Sequence, residues 1–313
     1  MSNFEQIVGQ SESMQRVYRQ IRQAAATDVP VLLIGETGTG KDLVARSIHR
    51  RSSRKRGPFR AVNLGALPKD LVASELFGHE KGAFTGATEK RRGQFELADE
   101  GTIFLDEIAS ISEKVQVSLL RLLERKEFQR LGGRTTIETN ARLVAASNQD
   151  LADEVDNGEF REDLYYRLDV FRISLPPLRD RRSDIPLLIE EFVKRYNERF
   201  DKNVRGISPE CVGLLENYDW PGNVRELKNV VQRAVLVCDE DVLLPENLPP
   251  RFRENKPARP TVQMEVGTTL GEMEREMIIR TLEYTKNNRS QTARLLGISR
   301  RTLYNKLDKY RIE

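Results

Sequence analysis

A chain of 313 residues, 38% hydrophobic and 32% charged, has the length of about two or three soluble globular domains. No apolar run approaches the ~20 residues of a membrane span, and the N-terminal MSNFEQIVGQ is neither a signal peptide nor an Arg-rich presequence, so no membrane partner and a cytoplasmic location are expected. The net charge of +3 is uneven: residues 286–313 carry eight Lys/Arg (Lys286, Arg289, Arg294, Arg300, Arg301, Lys306, Lys309, Arg311) against two acids, a +6 tail on a body of −3.

From residue 29 to 180, short apolar runs alternate with helical patterns. The run 29–34 (VPVLLI) reads as a buried strand, Asp42 to His49 as a helix, and Phe59 to Asn63, Gly101 to Asp106 and Arg142 to Ala146 as further strands. Val, Leu and Phe recur at helical spacing from Val115 to Phe128. Strands alternating with helices imply a parallel sheet covered on both faces. Pro176-Pro177 ends this pattern, and Ser183 to Val237 reads as an all-α subdomain in which Ser208-Pro209-Glu210 supplies an N-cap, an N1 proline and an early acid. Five prolines without periodicity mark residues 245–267 as linker-like, and Leu270 to Tyr310 is helical again. The expected division is an α/β ATPase subdomain at 1–178, a helical lid at 179–248, a linker at 249–267 and a helix-turn-helix domain at 268–313. Cys211 and Cys238 read as reduced core thiols, and His49 and His79 are too few for a metal site.

Gly35-Glu36-Thr37-Gly38-Thr39-Gly40-Lys41 follows an apolar strand and opens a helix, the context of a P-loop. Backbone N–H groups wrap the phosphates there, and Lys41 reaches the β- and γ-phosphates. Asp42 stands where Ser or Thr usually meets Mg²⁺, and a carboxylate cannot take that role in the same way without crowding phosphate. The strand at 102–106 ends in Asp106-Glu107. The simplest assignment gives Asp106 the Mg²⁺, directly or through water, and Glu107 the activation of the attacking water. Asn148 follows another strand and could orient that water or sense the γ-phosphate. Arg161 and Arg167, six apart in FREDLYYRL, could reach a neighbouring subunit's nucleotide, although a salt-bridged surface helix has the same pattern. In WPGNVREL, Asn223 reads as an N-cap, and Arg225 would face the phosphates if the lid folds over the site. Ser290 to Ser299 followed by Arg300 to Tyr310 has helix-turn-helix spacing. Leu303 and Leu307 point inward; structural helix pairs share this pattern, but the +6 tail favours DNA, with Arg300, Arg301, Thr302, Asn305 and Lys306 as the expected contacts.

Gly82-Ala83-Phe84-Thr85-Gly86-Ala87 lies between the P-loop and the acidic strand end. Two glycines bracket an exposed Phe-Thr pair, a poor helix and a poor strand but a plausible mobile tip. These pieces in this order resemble the bacterial enhancer-binding proteins, the AAA+ activators of sigma-54 RNA polymerase, over residues 4–310. GAFTGA after SELFGHEK is the most specific element, with WPGNVREL and FREDLYYRL close behind. An acidic residue after the P-loop lysine is common in that family. The resemblance implies ATP and Mg²⁺ as cofactors and enhancer DNA and sigma-54 polymerase as partners. It also implies a homo-oligomer expected to be a hexamer, since trans-acting arginines require more than one subunit. It gives residues 82–87 to the sigma factor, makes Asn63 the partner holding Glu107, and makes Arg161 and Arg167 the trans-acting fingers. It places Arg225 as second sensor, Asn148 at the first, and Ile7 and Val8 near the adenine. The terminal module is similar to a Fis-type helix-turn-helix.

Such activators usually carry an N-terminal sensing domain. Here the core begins within ten residues, which fits a short member governed by a separate regulatory protein or a trimmed chain. A general AAA+ remodeller or loader would share the P-loop and fingers but has no need of GAFTGA. A DNA-binding repressor that merely binds ATP has no need of Glu107 and the arginines.

Overall fold

The computed structural model describes residues 7–253, 267–285, 288–310 and 312. Ser11 accepts from the Met14 amide and starts α1 (Glu12–Ala25), which leads to β1 (Val31–Ile34) and α2 (Lys41–Arg51). Then come β2 (Phe59–Asn63), α3 (Lys69–Phe77), the short antiparallel pair β3 (Gly78–His79) and β4 (Arg91–Arg92), α4 (Gln94–Leu97) and β5 (Thr102–Asp106). Helix α5 (Glu113–Arg125) precedes the hairpin β6 (Glu127–Gln129) and β7 (Thr136–Glu138). The α/β part closes with β8 (Arg142–Ser147), α6 (Leu151–Asp156), α7 (Glu162–Leu168) and β9 (Arg172–Ser174).

Strands β2-β5-β8-β1-β9 form one sheet in that order, every pairing parallel. Its two faces explain the unbroken apolar runs. Leu32, Ile103, Leu105, Leu143 and Ala145 pack into one cluster with α3, α5 and α7. Their alternates Val31, Leu33, Phe104, Val144 and Ala146 pack on the other face with α1 and α2. Side chains alternate along a strand, so burial on both faces requires both sets to be apolar. The strand Arg172–Ser174 escaped sequence reading because it is three residues long. Phe128, expected at the end of a helix, lies instead in β6. Lys126 adopts φ +60, ends α5 and turns the chain into the hairpin.

A kinked 3₁₀ segment (Leu178–Asp184) leads to α8 (Ile185–Phe200), β10 (Gly206–Ile207), α9 (Pro209–Glu216), α10 (Asn223–Val237) and β11 (Val242–Leu243). The expected N-cap is present, with Ser208 accepting from the Cys211 amide. This part is not wholly helical: β10 and β11 pair in parallel. Its core centres on Trp220, fully buried, whose indole N–H donates to the Leu215 carbonyl at 2.8 Å. The proline-rich stretch does not become linker at residue 249. Phe252, in α11 (Pro250–Arg253), is buried against Trp220 and Tyr218. The remainder of the expected linker, residues 254–266, lies outside the described residues, as do Lys286 and Arg311 of the basic tail.

Residues 253–313 form a separate unit. A Thr269–Glu272 capping box opens α12 (Leu270–Tyr284), followed by α13 (Arg289–Leu295) and α14 (Arg300–Tyr310). Ile278, Leu282, Ala293, Leu303 and Leu307 are its buried core.

Candidate nucleotide site, surface loop and helix pair

Strands β1, β2, β5 and β8 all end on one edge of the sheet, where ligands of open parallel sheets bind. Residues 35–40 turn from β1 into α2, with Gly38 at φ +84 and Gly40 at φ +101, conformations that suit glycine. A Cβ on Gly38 would stand 2.3 Å from the Gly222 carbonyl, so the lid backbone lies directly on this loop. Lys41 is buried, and its Nζ donates to the Gly35 and Glu36 carbonyls at 2.6 and 3.2 Å. Burial lowers its pKa, and the charges of Asp106 and Glu107 oppose that shift.

Across the cleft, Asp106 ends β5 beside Asn63 of β2. Burial raises the Asp106 pKa, Lys41 works against this, and Glu107 and Asp42 add to it. A partly buried carboxylate with other acids close by suits a divalent cation. Among the described residues no cluster of three or more His, Cys, Asp or Glu closes a metal site, so phosphate oxygens and water must complete the shell of any such ion. Glu107 sits at φ +59, a left-handed conformation uncommon for Glu and typical of functional sites. Its carboxylate lies against Gly65, where a Cβ would stand 1.8 Å from Oε2. Among the described residues Asn63 and Glu107 share no hydrogen bond, although both line the same cleft. Asn63 Oδ1 instead accepts from the Ala66 amide at 3.0 Å.

These groups line a cleft of about 560 Å³. Residues 37–42 form one wall, and Asn63, Asp106, Glu107 and Asn148 form the strand-end wall. Ile7 and Val8 close it near Met14, and Arg225 enters from α10. Gly35 and Glu36 stand just behind the wall; Arg179 holds the Glu36 carboxylate through two hydrogen bonds and, with Asn223, lowers its pKa to about 2. The N-terminal strap is pinned by Asp184, which accepts from the Gln10 and Ser11 amides at 2.6 and 2.8 Å. Tyr18 donates to the Ile7 or Gly9 carbonyl at 3.2 Å.

Sequence reading missed the wall supplied by α8 and the lid. Leu188, Glu191, Phe192 and Arg195 line the cleft at spacings of three and four, and Lys228 lies one turn beyond Arg225. That i, i+3, i+4, i+7 pattern was the available signal, but helices that only fill a core share it. Arg181 was also missed. It is buried at the 3₁₀ kink, with Nη2 donating to the Thr39 carbonyl at 3.3 Å. Asn223 does not cap α10, whose N-cap is Gly222. It stands at φ +51, wholly buried, and its side chain bridges to the P-loop.

Arg161 and Arg167 do not reach their own chain's cleft. The Arg161 guanidinium pairs with Asp163 at 2.7 and 3.1 Å. Arg167 is exposed and makes no hydrogen bond or ion pair among the described residues, between the exposed Tyr166 (66%) and Val170 (53%).

GAFTGA forms a tight turn on the insertion that follows α3. Gly82 N–H donates to Ala87 O at 2.8 Å, and Gly82 and Gly86 have φ +80 and +102 with open space around them. Phe84 is 39% exposed, and its ring forms a T-shaped pair with that of His79 at 5.1 Å between centroids. Thr85 is exposed, and Ala87 is buried at the base of the turn. In the helix pair, Ser299 accepts from the Thr302 amide, and Arg300, Arg301 and Asn305 are exposed. Lys306 differs from expectation: it is ion-paired to Glu274 on α12 and only partly exposed.

Residues 7–174 match the family model of the Sigma-54 interaction domain. The chain belongs to the sigma-54-dependent activators. Residues 179–265 match an AAA+ ATPase lid domain, and residues 269–310 match the Fis-family bacterial regulatory domain. Transcriptional regulatory protein ZraR of Salmonella typhimurium is 46% identical over 303 residues, 97% of this chain and 68% of the relative. Regulatory protein AtoC of Escherichia coli is 44% identical over 313 residues, covering 98% and 68%. Among solved structures, NtrX from Brucella abortus in complex with ATP superposes with a TM-score of 0.74 at 31% identity, covering 98% of this chain and 70% of that one. This sigma-54 activator is thus an AAA+ ATPase that binds ATP and carries a DNA-binding helix-turn-helix region. Among the described residues no helix is long and apolar enough to cross a membrane.

Proposed function

We propose that this activator binds enhancer DNA as a cytoplasmic homohexamer and uses ATP hydrolysis to drive the GAFTGA loop against sigma-54, remodelling closed promoter complexes into open ones. The observation that carries the coupling is connectivity. The loop is inserted between β2, which ends at Asn63, and β5, which ends at Asp106 and Glu107. A change at the γ-phosphate therefore acts on both roots of the segment that bears Phe84 and Thr85.

In this reading Lys41 and the backbone amides of residues 37–40 hold the phosphates. Asp106 would hold Mg²⁺, which when bound neutralises charge on the phosphate oxygens. Glu107 orients the attacking water and takes its proton, and Asn148 lies where it can sense the terminal phosphate. Arg225 faces the phosphates from the lid, and Ile7 and Val8 border the base. The unpaired Arg167, with Arg161, supplies positive charge to a neighbouring subunit's site. Arg300, Arg301, Thr302 and Asn305 dock in a major groove, with Lys306 in a supporting role because Glu274 already holds it. The division of labour assigns residues to 178 to the ATPase part, from 179 to the lid and from 268 to DNA binding.

The test is ATPase rate against protein concentration, with and without sigma-54. The expected result is a specific activity that rises with concentration, since the site is completed in trans, and a response to sigma-54 that needs residues 82–87. Constant specific activity down to a demonstrated monomer would refute trans completion.

A further inference from the structure

The lid is joined to the phosphate loop by a side chain that the ATPase reading leaves without a role. Asn223 is 0% exposed, although it is a polar residue at the first position of α10. Its Oδ1 accepts from the Leu178 amide at 2.8 Å. Its Nδ2 donates to Glu36 Oε2 at 3.0 Å and to the Thr37 carbonyl at 3.1 Å. One carboxamide therefore ties together the P-loop, the entry to the lid and the start of α10. Beside it, the Arg225 amide donates to the Gly38 carbonyl at 3.3 Å.

Few side chains could replace it. The position needs one acceptor and two donors on a short stem, an inventory that Asp and Ser lack. It also needs a residue that tolerates φ +51, which Asn does better than most. Glu36, the anionic partner, is held ionised by Arg179 and is half-exposed.

The Thr37 carbonyl and the Gly38 N–H belong to one planar trans peptide and point in opposite directions. Holding that carbonyl against the lid fixes the direction of the Gly38 N–H. Gly38 lines the cleft, and its N–H makes no hydrogen bond among the described residues. We propose that Asn223 is a positioning residue that latches the lid to the phosphate loop and presets the Gly38 N–H for the triphosphate. This rests on the reading of the cleft as the ATP site. Because the latch is made before nucleotide enters, it strengthens ground-state binding, and its loss raises KM more than it lowers kcat.

The experiment uses the full chain, with a fluorescent ATP analogue for binding and phosphate release for turnover. Asn223→Asp keeps the acceptor, removes both donors and sets a second carboxylate against Glu36. It should weaken ATP binding roughly tenfold or more. Adding Glu36→Gln supplies a donor from the opposite side and should recover about threefold or more of that loss, a coupling that independent sites do not show. If the buried Asn223→Asp chain does not fold, Glu36→Lys tests the latch from its half-exposed end. There KM should rise roughly tenfold while kcat at saturating ATP stays within about twofold. Wild-type ATP affinity in Glu36→Lys, or in a folded Asn223→Asp, overturns the latch, as does absence of recovery in the double variant. Lys41→Ala separates the two levels: if it binds ATP normally, the site reading has failed; if it loses ATP while the latch variants bind normally, only the latch has failed.

Discussion

Replacing Gly65 by alanine tests the placement of Glu107 from a position that touches no nucleotide. The added Cβ would stand 1.8 Å from Glu107 Oε2 and 2.9 Å from its Cδ. Ordinary contact begins at 3.4 Å, so the carboxylate oxygen must retreat by about 1.6 Å. Oε2 is the end of a flexible side chain, and Gly65 is exposed and not in the left-handed region, so the fold should tolerate the methyl. Catalysis should not: a ~1 Å misplacement of a reacting group costs ~10²-fold. The expected outcome is kcat down about a hundredfold, some 2.7 kcal/mol of barrier, with ATP affinity within about twofold of wild type. Gly65 does not line the cleft, which separates the two readouts. Phosphate-release kinetics and analogue binding on one preparation suffice. A kcat within about threefold of wild type would refute the assignment of Glu107 as the group that activates water.

Thr85→Ala should keep ATPase activity and lose activation from a sigma-54 promoter, since Thr85 is exposed at the loop tip and does not line the cleft; in vitro transcription beside ATPase assays decides it. Arg167→Ala should lower hydrolysis in the assembled state by ~10³-fold or more if it serves as a finger. Mixing it with Glu107→Gln should restore part of the activity, because each variant supplies what its neighbour lacks. Asp106→Asn should raise the thermal midpoint of the nucleotide-free protein at pH 8. The folded Asp106 pKa lies above its ordinary value, so the ionised form opposes folding there. The penalty vanishes as pH falls below the ordinary carboxylate value near ~4, and the variant's advantage should vanish with it. A constant difference from pH 8 to pH 4 would contradict that cause.

The residues legible in sequence are those whose chemistry works through local spacing. The strand–loop–helix around Lys41 and the strand ending at Asp106 need only a short unbroken apolar run and a glycine turn. The capping serine at 208 and the inward Leu303 and Leu307 likewise follow from one segment at a time. Phe128 was misplaced because helical spacing of apolar residues continues past Lys126, whose left-handed turn no local preference announces. The lid wall of Leu188, Phe192, Arg195 and Lys228 was hidden because a cleft-lining face and a core-filling face have the same periodicity.

By itself the sequence determined the family, the parallel ATPase core, the phosphate loop, the acidic strand end and the surface turn with Phe84 and Thr85, since each is written in contiguous residues. Only the tertiary structure decided what crosses between segments far apart in the chain. It alone set Asn63 on the Ala66 amide, gave Lys306 to Glu274 and laid Gly222 on Gly38. It also turned Asn223 from a helix cap into a buried bridge to Glu36 and Thr37. A hydrogen-bonding side chain takes whichever partner the packed backbone brings within about 3 Å, and that distance exists only after folding.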